Sequence, residues 1–516
     1  MIGRSIRYLS GDRLIYLFFG NMTHYAEMPF IAPFQDPIFS SVFSRPMSRA
    51  LVFFLLIFLL GTSGCGSGSE TVRDRGTSHV YQTGYPEVLA RVTSFFDVED
   101  NPVVVLNLEL PHNNLVFRTI DGQRKAAVEL SVQYRKLGVT AEGDVTGTLR
   151  ENIDIIPSEG PERFRTLIER VRPVNPGTYQ LEVRVRDRSS NKASQVVLQV
   201  KVPDPERPEP TLSDIRVALL GEGETRNITS YLIPASHDSL RFELFVARSD
   251  DSLPVELRMR LIEFRSDTAP ARAMGHLPVS SGSIQFRGID FSDQTELASQ
   301  RRTLDTETGP ILIEYSFPRP EAGNYRLEIT LETTGPDGQT EETVRFRDFA
   351  MVSPGFPDVR TVREMAEPLV YLMRERDFRN MMRMSDPDSI RREIDRFWLR
   401  DMNPRQAREQ IERFYTRVEE ANRLFSTFKE GWKTDMGLVY ILLGPPVYVE
   451  SSIDAMIWHY SHNRMDPRTV IIFERARVTS NSWPFQHYIL SRNRFYQSIE
   501  LEAIGNWTSG RMPMLN

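Results

Sequence analysis

Between about Tyr85 and Val202, apolar and polar residues alternate in short runs set off by turn residues. That period of two is the signature of strands with one face buried. The clearest runs are PVVVLNLEL (102–110), AAVELSVQYR (126–135), TYQLEVRVRD (178–187) and SQVVLQVKV (194–202). In the third, Tyr179, Leu181, Val183 and Val185 share one face, and Glu182, Arg184 and Arg186 share the other. RDRSSNK, between the last two runs, reads as a hairpin loop. The spacing predicts an antiparallel sandwich over residues 85–203.

PDPERPEP (203–210) then places four prolines in eight residues. Proline cannot donate to a sheet ladder and favours extended backbone, so residues 204–210 are expected to form a semi-rigid linker. Alternation resumes over residues 211–353, in SLRFELFVAR, VELRMRLIEF, ILIEYSF and TVRFRDFAMV. PEAGNYRLEITLE (320–332) echoes VNPGTYQLEVRVR (174–186), with Gly323 against Gly177 and Tyr325 against Tyr179. The echo implies two related sandwich domains, which resemble immunoglobulin-like or fibronectin-like modules.

After SPGFPD (353–358) the apolar spacing changes to that of helices. SDPDSIRREIDRFWLRDM offers Ser385 or Asp386 as an N-cap, then Ile390, Ile394, Phe397 and Trp398 on one face. NPRQAREQIERFYTRVEEANRLF opens on Asn403 and Pro404 and carries Ile411, Phe414, Tyr415, Val418 and Phe425 down one side. GLVYILLG (437–444) is apolar on both faces, which predicts a central strand. MIWHY (456–460), TVIIFE (469–474) and HYILS (487–491) would complete a small antiparallel sheet. Helices followed by sheet make a third, α+β domain over residues 361–500, with 501–516 as a tail.

The only cysteine among the 516 residues follows an apolar run. From Met47 the chain reads MSRALVFFLLIFLLGTSGC, with Arg49 before the unbroken run Ala50 to Leu60 and small residues before Cys65. The run has the length of a secretory signal core and falls short of the roughly 20 residues that span a bilayer. The stretch resembles a bacterial lipoprotein signal, with Ser63 and Gly64 in the two small positions before the cysteine and Thr62 where leucine is usual. The resemblance implies cleavage after residue 64 and a lipidated, palmitate-type Cys65 on an outer-membrane or periplasm-facing envelope protein. Residues 65–84 would then be a polar tether, and 1–46 an extension upstream of the true start at Met47.

A net charge of −6 argues against a nucleic-acid partner. The single cysteine excludes intramolecular disulfides and multi-cysteine metal centres. No phosphate-binding loop, nucleophile elbow or zinc-protease motif is present, so no cofactor is expected and no metal site is assigned. His459 and His462 are spaced like ligands, but as strand residues they would face opposite ways.

One stretch carries a denser signal, FKEGWKTDMGLVYILLGPP (428–446). It resembles the defining motif of the GWxTD domain, a bacterial family. Gly431, Trp432, Thr434 and Asp435 stand at the named positions, and Gly444, Pro445 and Pro446 match the G-P-P that follows. Phe397, Trp398, Arg400 and Asp401 resemble its F-W-x-x-R-D segment with one residue fewer. Tyr415, Ala421, Asn422 and Phe425 resemble the next helix, and Trp458 and Tyr460 its W-x-Y strand. The resemblance implies an exported or lipid-anchored protein with β-rich regions ahead of the domain, and no particular reaction. Three readings follow. In the first, the motif is structural, with Thr434 and Asp435 bonding amides where the chain turns into a strand, in a scaffold or binding protein that meets other envelope proteins or glycan. In the second, Asp435 is an acid or base of a hydrolase. In the third, Trp432, Tyr440, Trp458 and Tyr460 form an aromatic surface for glycan.

Overall fold

Strands β1 (Thr71–Asp74), β2 (Leu89–Phe96), β3 (Pro102–Pro111), β4 (Arg118–Ile120), β5 (Gln123–Lys136), β6 (Asp144–Ile155), β7 (Arg165–Pro173), β8 (Gly177–Asp187) and β9 (Ala193–Val202) build the first region. They come from a computed structural model that describes residues 71–74, 84–112, 114–138, 144–157, 165–220, 225–228, 230–251, 254–277, 288–305, 307–334, 340–452, 454–461, 470–476 and 487–512. Cys65, the signal-like run, the upstream extension and His462 lie outside the described residues. One sheet runs β1-β9-β8-β5-β4 with β6 also on β5, and the other runs β2-β3-β7. All pairings in them are antiparallel except β1 beside β9. The two sheets close on one core, where Val104 and Leu106 meet Val128, Leu130, Leu181 and Val183. Tyr179, Leu181, Val183 and Val185 are all buried, as alternation requires.

The second region comprises β10 (Thr211–Leu212), β11 (Arg216–Leu220), β12 (Thr225–Ile228), β13 (Leu232–Pro234), β14 (Ser239–Arg248), β15 (Val255–Ser266), β16 (Ile289–Leu304), β17 (Gly309–Pro318), β18 (Gly323–Thr334) and β19 (Thr340–Val352). β14 lies between β11 and β17, and β10 and β12 extend that sheet. The facing sheet runs β13-β19-β18-β15-β16. Phe242, Leu257, Ile329 and Phe349 fill the core between them. The echoed hairpins share one local bond. The Tyr179 hydroxyl donates to the Asn175 carbonyl (2.8 Å), and the Tyr325 hydroxyl to the Glu321 carbonyl (2.9 Å), each four residues back. The proline stretch between the regions is exposed over residues 206–209. Nearby, the Ser94 N–H donates to Asp214 (2.8 Å) and ties β2 to the start of the second region.

The third region is largely helical. It contains α1 (Val362–Ala366), α2 (Glu375–Met382), α3 (Pro387–Trp398), α4 (Pro404–Phe425) and α5 (Asp435–Leu443). Then come β20 (Tyr448–Ser451), β21 (Ala455–His459), β22 (Val470–Arg475), β23 (Tyr488–Leu490) and α6 (Phe495–Thr508). Asp386 caps α3 by accepting from the Asp388 and Ser389 amides, and Asn403 caps α4 in a reciprocal box with Gln406. The four strands pair in chain order, all antiparallel.

Two expectations are overturned here. Residues 437–444 are not a strand, since they form α5 and its C-terminal cap. A helix buried on every side shows the same uninterrupted apolar run as a central strand, and so hides its period. Residues 501–508 are not a tail, because α6 puts Tyr496, Glu500, Ala503 and Trp507 into the core beside α5.

Candidate functional site

The motif begins where α4 ends. Its first residues form a short 3₁₀ turn, Gly431–Lys433, and a second such turn, Glu367–Tyr371, packs against it through Tyr371. A Cβ on Gly431 would lie 1.9 Å from the Ala421 carbonyl, so backbone passes against backbone and only glycine fits. Gly437 is equally constrained, because its Cβ would lie 1.9 Å from the Gly431 carbonyl. The seven-residue span Gly431 to Gly437 is thus folded tightly onto itself. The spacing of the two glycines is visible in the sequence, but nothing there shows that the second meets the first.

Thr434 holds that fold. Its hydroxyl donates to the Gly431 carbonyl (2.7 Å) and accepts from the Gly437 N–H (3.0 Å), which makes it the N-cap of α5. The motif therefore turns the chain into a helix, where sequence reasoning placed a strand. At the far end Gly444 adopts φ 88°, a conformation that favours glycine, and its N–H donates to the Tyr440 carbonyl (2.8 Å). The last carbonyls of α5 find side-chain donors. The Arg417 guanidinium donates to Ile441 (3.1 Å), and the Trp507 indole N–H to Leu442 (3.1 Å). Burial pulls the Arg417 guanidinium down to about 10.

The aromatic surface for glycan is also overturned. Trp432, Tyr440 and Trp458 are buried, and Tyr460 is half-buried with its hydroxyl on the Gly444 carbonyl (2.9 Å). The Trp432 indole N–H donates to Glu430 (2.9 Å), and its ring meets Tyr371 edge-on at 5.9 Å. Tyr440 donates to Glu420 (2.9 Å). Trp458 packs between Phe425 and Phe473. These rings are packed as core, and the polar edges of Trp432, Tyr440 and Tyr460 each find a partner within the protein.

Glu430 is a second anchor. It accepts from the Ser353 N–H (3.0 Å) at the end of β19 and from Lys433 (2.7 Å). Burial alone would raise its carboxyl, but the Lys433 charge and these bonds outweigh that and hold it below the ordinary range.

Asp435 is buried away from solvent. Its two oxygens accept a fork from Arg492 at 2.7 and 2.6 Å, and one also accepts the Leu490 N–H at 2.8 Å. Both side chains are buried. Arg492, which no spacing ties to Asp435, was missed in the sequence. Its remaining donors run outward, to the carbonyls of Ala273 (3.1 Å) and Arg272 (3.0 Å).

Those carbonyls belong to the loop after β15, and the third region holds that loop at several more points. Lys429 donates to the Ala269 carbonyl (2.8 Å), the Ala271 N–H donates to the Tyr371 hydroxyl (3.2 Å), and the Met274 N–H donates to Glu500 (2.9 Å). The same Tyr371 hydroxyl donates to the Trp432 carbonyl (2.7 Å). Met274 is fully buried in the core of the third region. A Cβ on Gly275 would come within 2.6 Å of Gln497 Cβ, so the loop lies directly on α6. The motif, β23 and α6 thus form a clasp around residues 269–275.

His459 is buried and stacked on Tyr448 (4.1 Å between centroids). Among the described residues no group of three or more His, Cys, Asp or Glu is arranged to hold a metal ion. No described helix is long and apolar enough to cross a membrane.

A family model, the GWxTD domain, matches residues 337–509, so the chain carries that domain. The match runs past residue 500 and takes in α6. No curated protein matches the chain. Among solved structures, red sea bream transglutaminase aligns with 53% of this chain and 32% of its own at 9% identity, with a TM-score of 0.18. Salmonella alpha-2-macroglobulin reacted with methylamine aligns over 55% of this chain and 17% of its own (14% identity, TM-score 0.18). Dimeric latent PorU from Porphyromonas gingivalis aligns over 52% and 20% (10% identity, TM-score 0.20). The chain spans about a third of the first of these proteins and a fifth or less of the other two. Such likenesses are too slight to bear on function.

Proposed function

We propose that this chain is a lipid-anchored protein of the bacterial cell envelope, acting as a scaffold or binding component on the periplasmic side of the outer membrane. The observation that carries the scaffold reading is the clasp. Trp432, Thr434 and Asp435 are all engaged in holding the chain to itself, and Asp435 does so through Arg492, which in turn bonds carbonyls of the second β region. A buried carboxylate already accepting a guanidinium fork and a backbone amide is engaged in holding the fold. The aromatic rings that a glycan would stack on are inside.

The anchor rests on the sequence, where an apolar run and two small residues precede Cys65. One acyl chain binds a membrane marginally, whereas the two or three on a bacterial lipoprotein hold it firmly. The two β regions ahead of the domain are read as immunoglobulin-like or fibronectin-like modules. In support, Tyr179 and Tyr325 each bond back to a carbonyl four residues upstream, as does the corner tyrosine of that fold. Other envelope proteins or glycan are the partners this reading implies. Intact-mass measurement of membrane-extracted protein tests the anchor. The expected product begins at Cys65 and carries lipid; an unmodified Cys65, or retained residues 1–46, would contradict it.

A further inference from the structure

Where the three regions meet, the described residues line a half-open cavity of about 670 Å³. Small-molecule sites typically measure roughly 300–1,000 Å³. Each region supplies part of the wall, including Leu89 and Asn107 from the first, Leu219 and Phe346 from the second, and Phe425 and Met456 from the third. Thr434 and Met436 of the motif also reach it, so the clasp braces one side.

The charged lining is mostly cationic, with Arg91, Arg165, Arg347, Arg360 and Arg423 beside Glu109 and Asp348, while the further counter-charges Asp214 and Asp358 lie outside the lining. The arginines are held in place by the protein. Arg165 pairs with Glu109 (3.1 Å), Arg347 donates to the Ser230 carbonyl (2.8 Å), and Arg360 (3.3 Å) and Arg423 share Asp358. Burial brings the Arg91 guanidinium down to about 10, against the opposing charges of Asp214 and Asp348. Burial also lowers Arg423, whose acidic neighbours act against it while the charge of Arg165, from another region, adds to it. Cations fixed around a partly apolar space are poised for an anion, since guanidinium pairs well with planar oxyanions.

We propose that this cavity binds an organic anion, one carboxylate or phosphate on an apolar body. The inference goes beyond the envelope reading and does not rest on it. The charged group would sit among the guanidiniums and the body against Leu219, Phe346, Phe425 and Met456.

Isothermal titration of the full chain in phosphatidylcholine nanodiscs with 4-phenylbutyrate, and with the neutral 4-phenylbutanol, tests it. The expected result is one saturable site for the acid and at least tenfold weaker binding of the alcohol. Arg165→Gln should weaken the acid at least fivefold. Arg150→Gln, which alters an exposed pair with Glu129 outside the cavity, should leave it unchanged. Should Arg165→Gln fail to fold, the exposed Arg360→Gln reads the same loss. No saturable heat with the folded chain, equal affinity for acid and alcohol, or affinity untouched by the cavity variants would overturn the proposal.

Discussion

Asp435 is the residue on which the structural reading turns. Removing one partner of a buried, hydrogen-bonded pair leaves the other charge desolvated, which costs about 3–5 kcal/mol. Asp435→Ala should therefore destabilise by that order, with Arg492 stranded between two carbonyls and no carboxylate. Chemical denaturation of the full chain measures it, and a variant as stable as wild type would refute the role. The glycines give a sharper contrast. Gly437→Ala forces a methyl into the Gly431 carbonyl, whereas nothing lies within 4 Å of a Cβ on Gly505 inside α6. Gly437→Ala should unfold the region at a lower denaturant concentration than wild type. Gly505→Ala should raise the midpoint by the helix-propensity gain of about 0.5–1 kcal/mol. At this scale the sequence was informative that Thr434 bonds a neighbouring amide, although that amide opens a helix and not the strand expected there. It was silent about Arg492, because the Asp435–Arg492 contact spans 57 residues and exists only in the fold.

Among the elements, strands were legible wherever one face is buried and the other solvated, since alternation follows directly from that geometry. The caps of α3 and α4 were legible for the same local reason. α5 was not, because a helix enclosed by α4, α6 and the small sheet has no polar face to mark its period. α6 was missed for a different reason. Its buried stripe, Tyr496, Glu500, Ala503 and Trp507, has helical spacing but includes a carboxylate. Trp507 both fills the core and bonds the end of α5. Trp507→Ala should cost about 3–5 kcal/mol, the loss of a fully buried aromatic. Glu500 supplies a pH signature. Burial raises its carboxyl above the ordinary range, with the Met274 and Gly275 amides acting the other way. A carboxyl raised in the folded state stabilises below its unfolded pKa, and that stability is lost as pH rises through the folded value. Glu500→Gln should thus raise the melting temperature relative to wild type near pH 7 and lose that advantage near pH 4. An advantage that is independent of pH would show that the carboxyl does not titrate as its burial implies.

For the molecule as a whole, the family match and the structure agree on one point. The GWxTD domain begins within reach of β19, whose end is bonded by Glu430, and closes with α6, which holds the β15 loop. A sequence reading divides such a chain at its composition shift near residue 353, and nothing in DTAPARAMGHL (267–277) marks that loop as belonging to the domain beyond it. Only its distant partners make that loop part of the domain's core, and no local pattern encodes them. The motif is therefore a fastening between two regions. Hydrogen exchange of the Ala271 and Met274 amides, in the full chain and in Asp435→Asn, tests this most directly. The wild-type amides should be strongly protected by Tyr371 and Glu500, and the variant should exchange them at least tenfold faster while the β14, β15 and β18 amides stay protected. Equal protection of both amides in the two proteins, or none in wild type, would contradict the clasp.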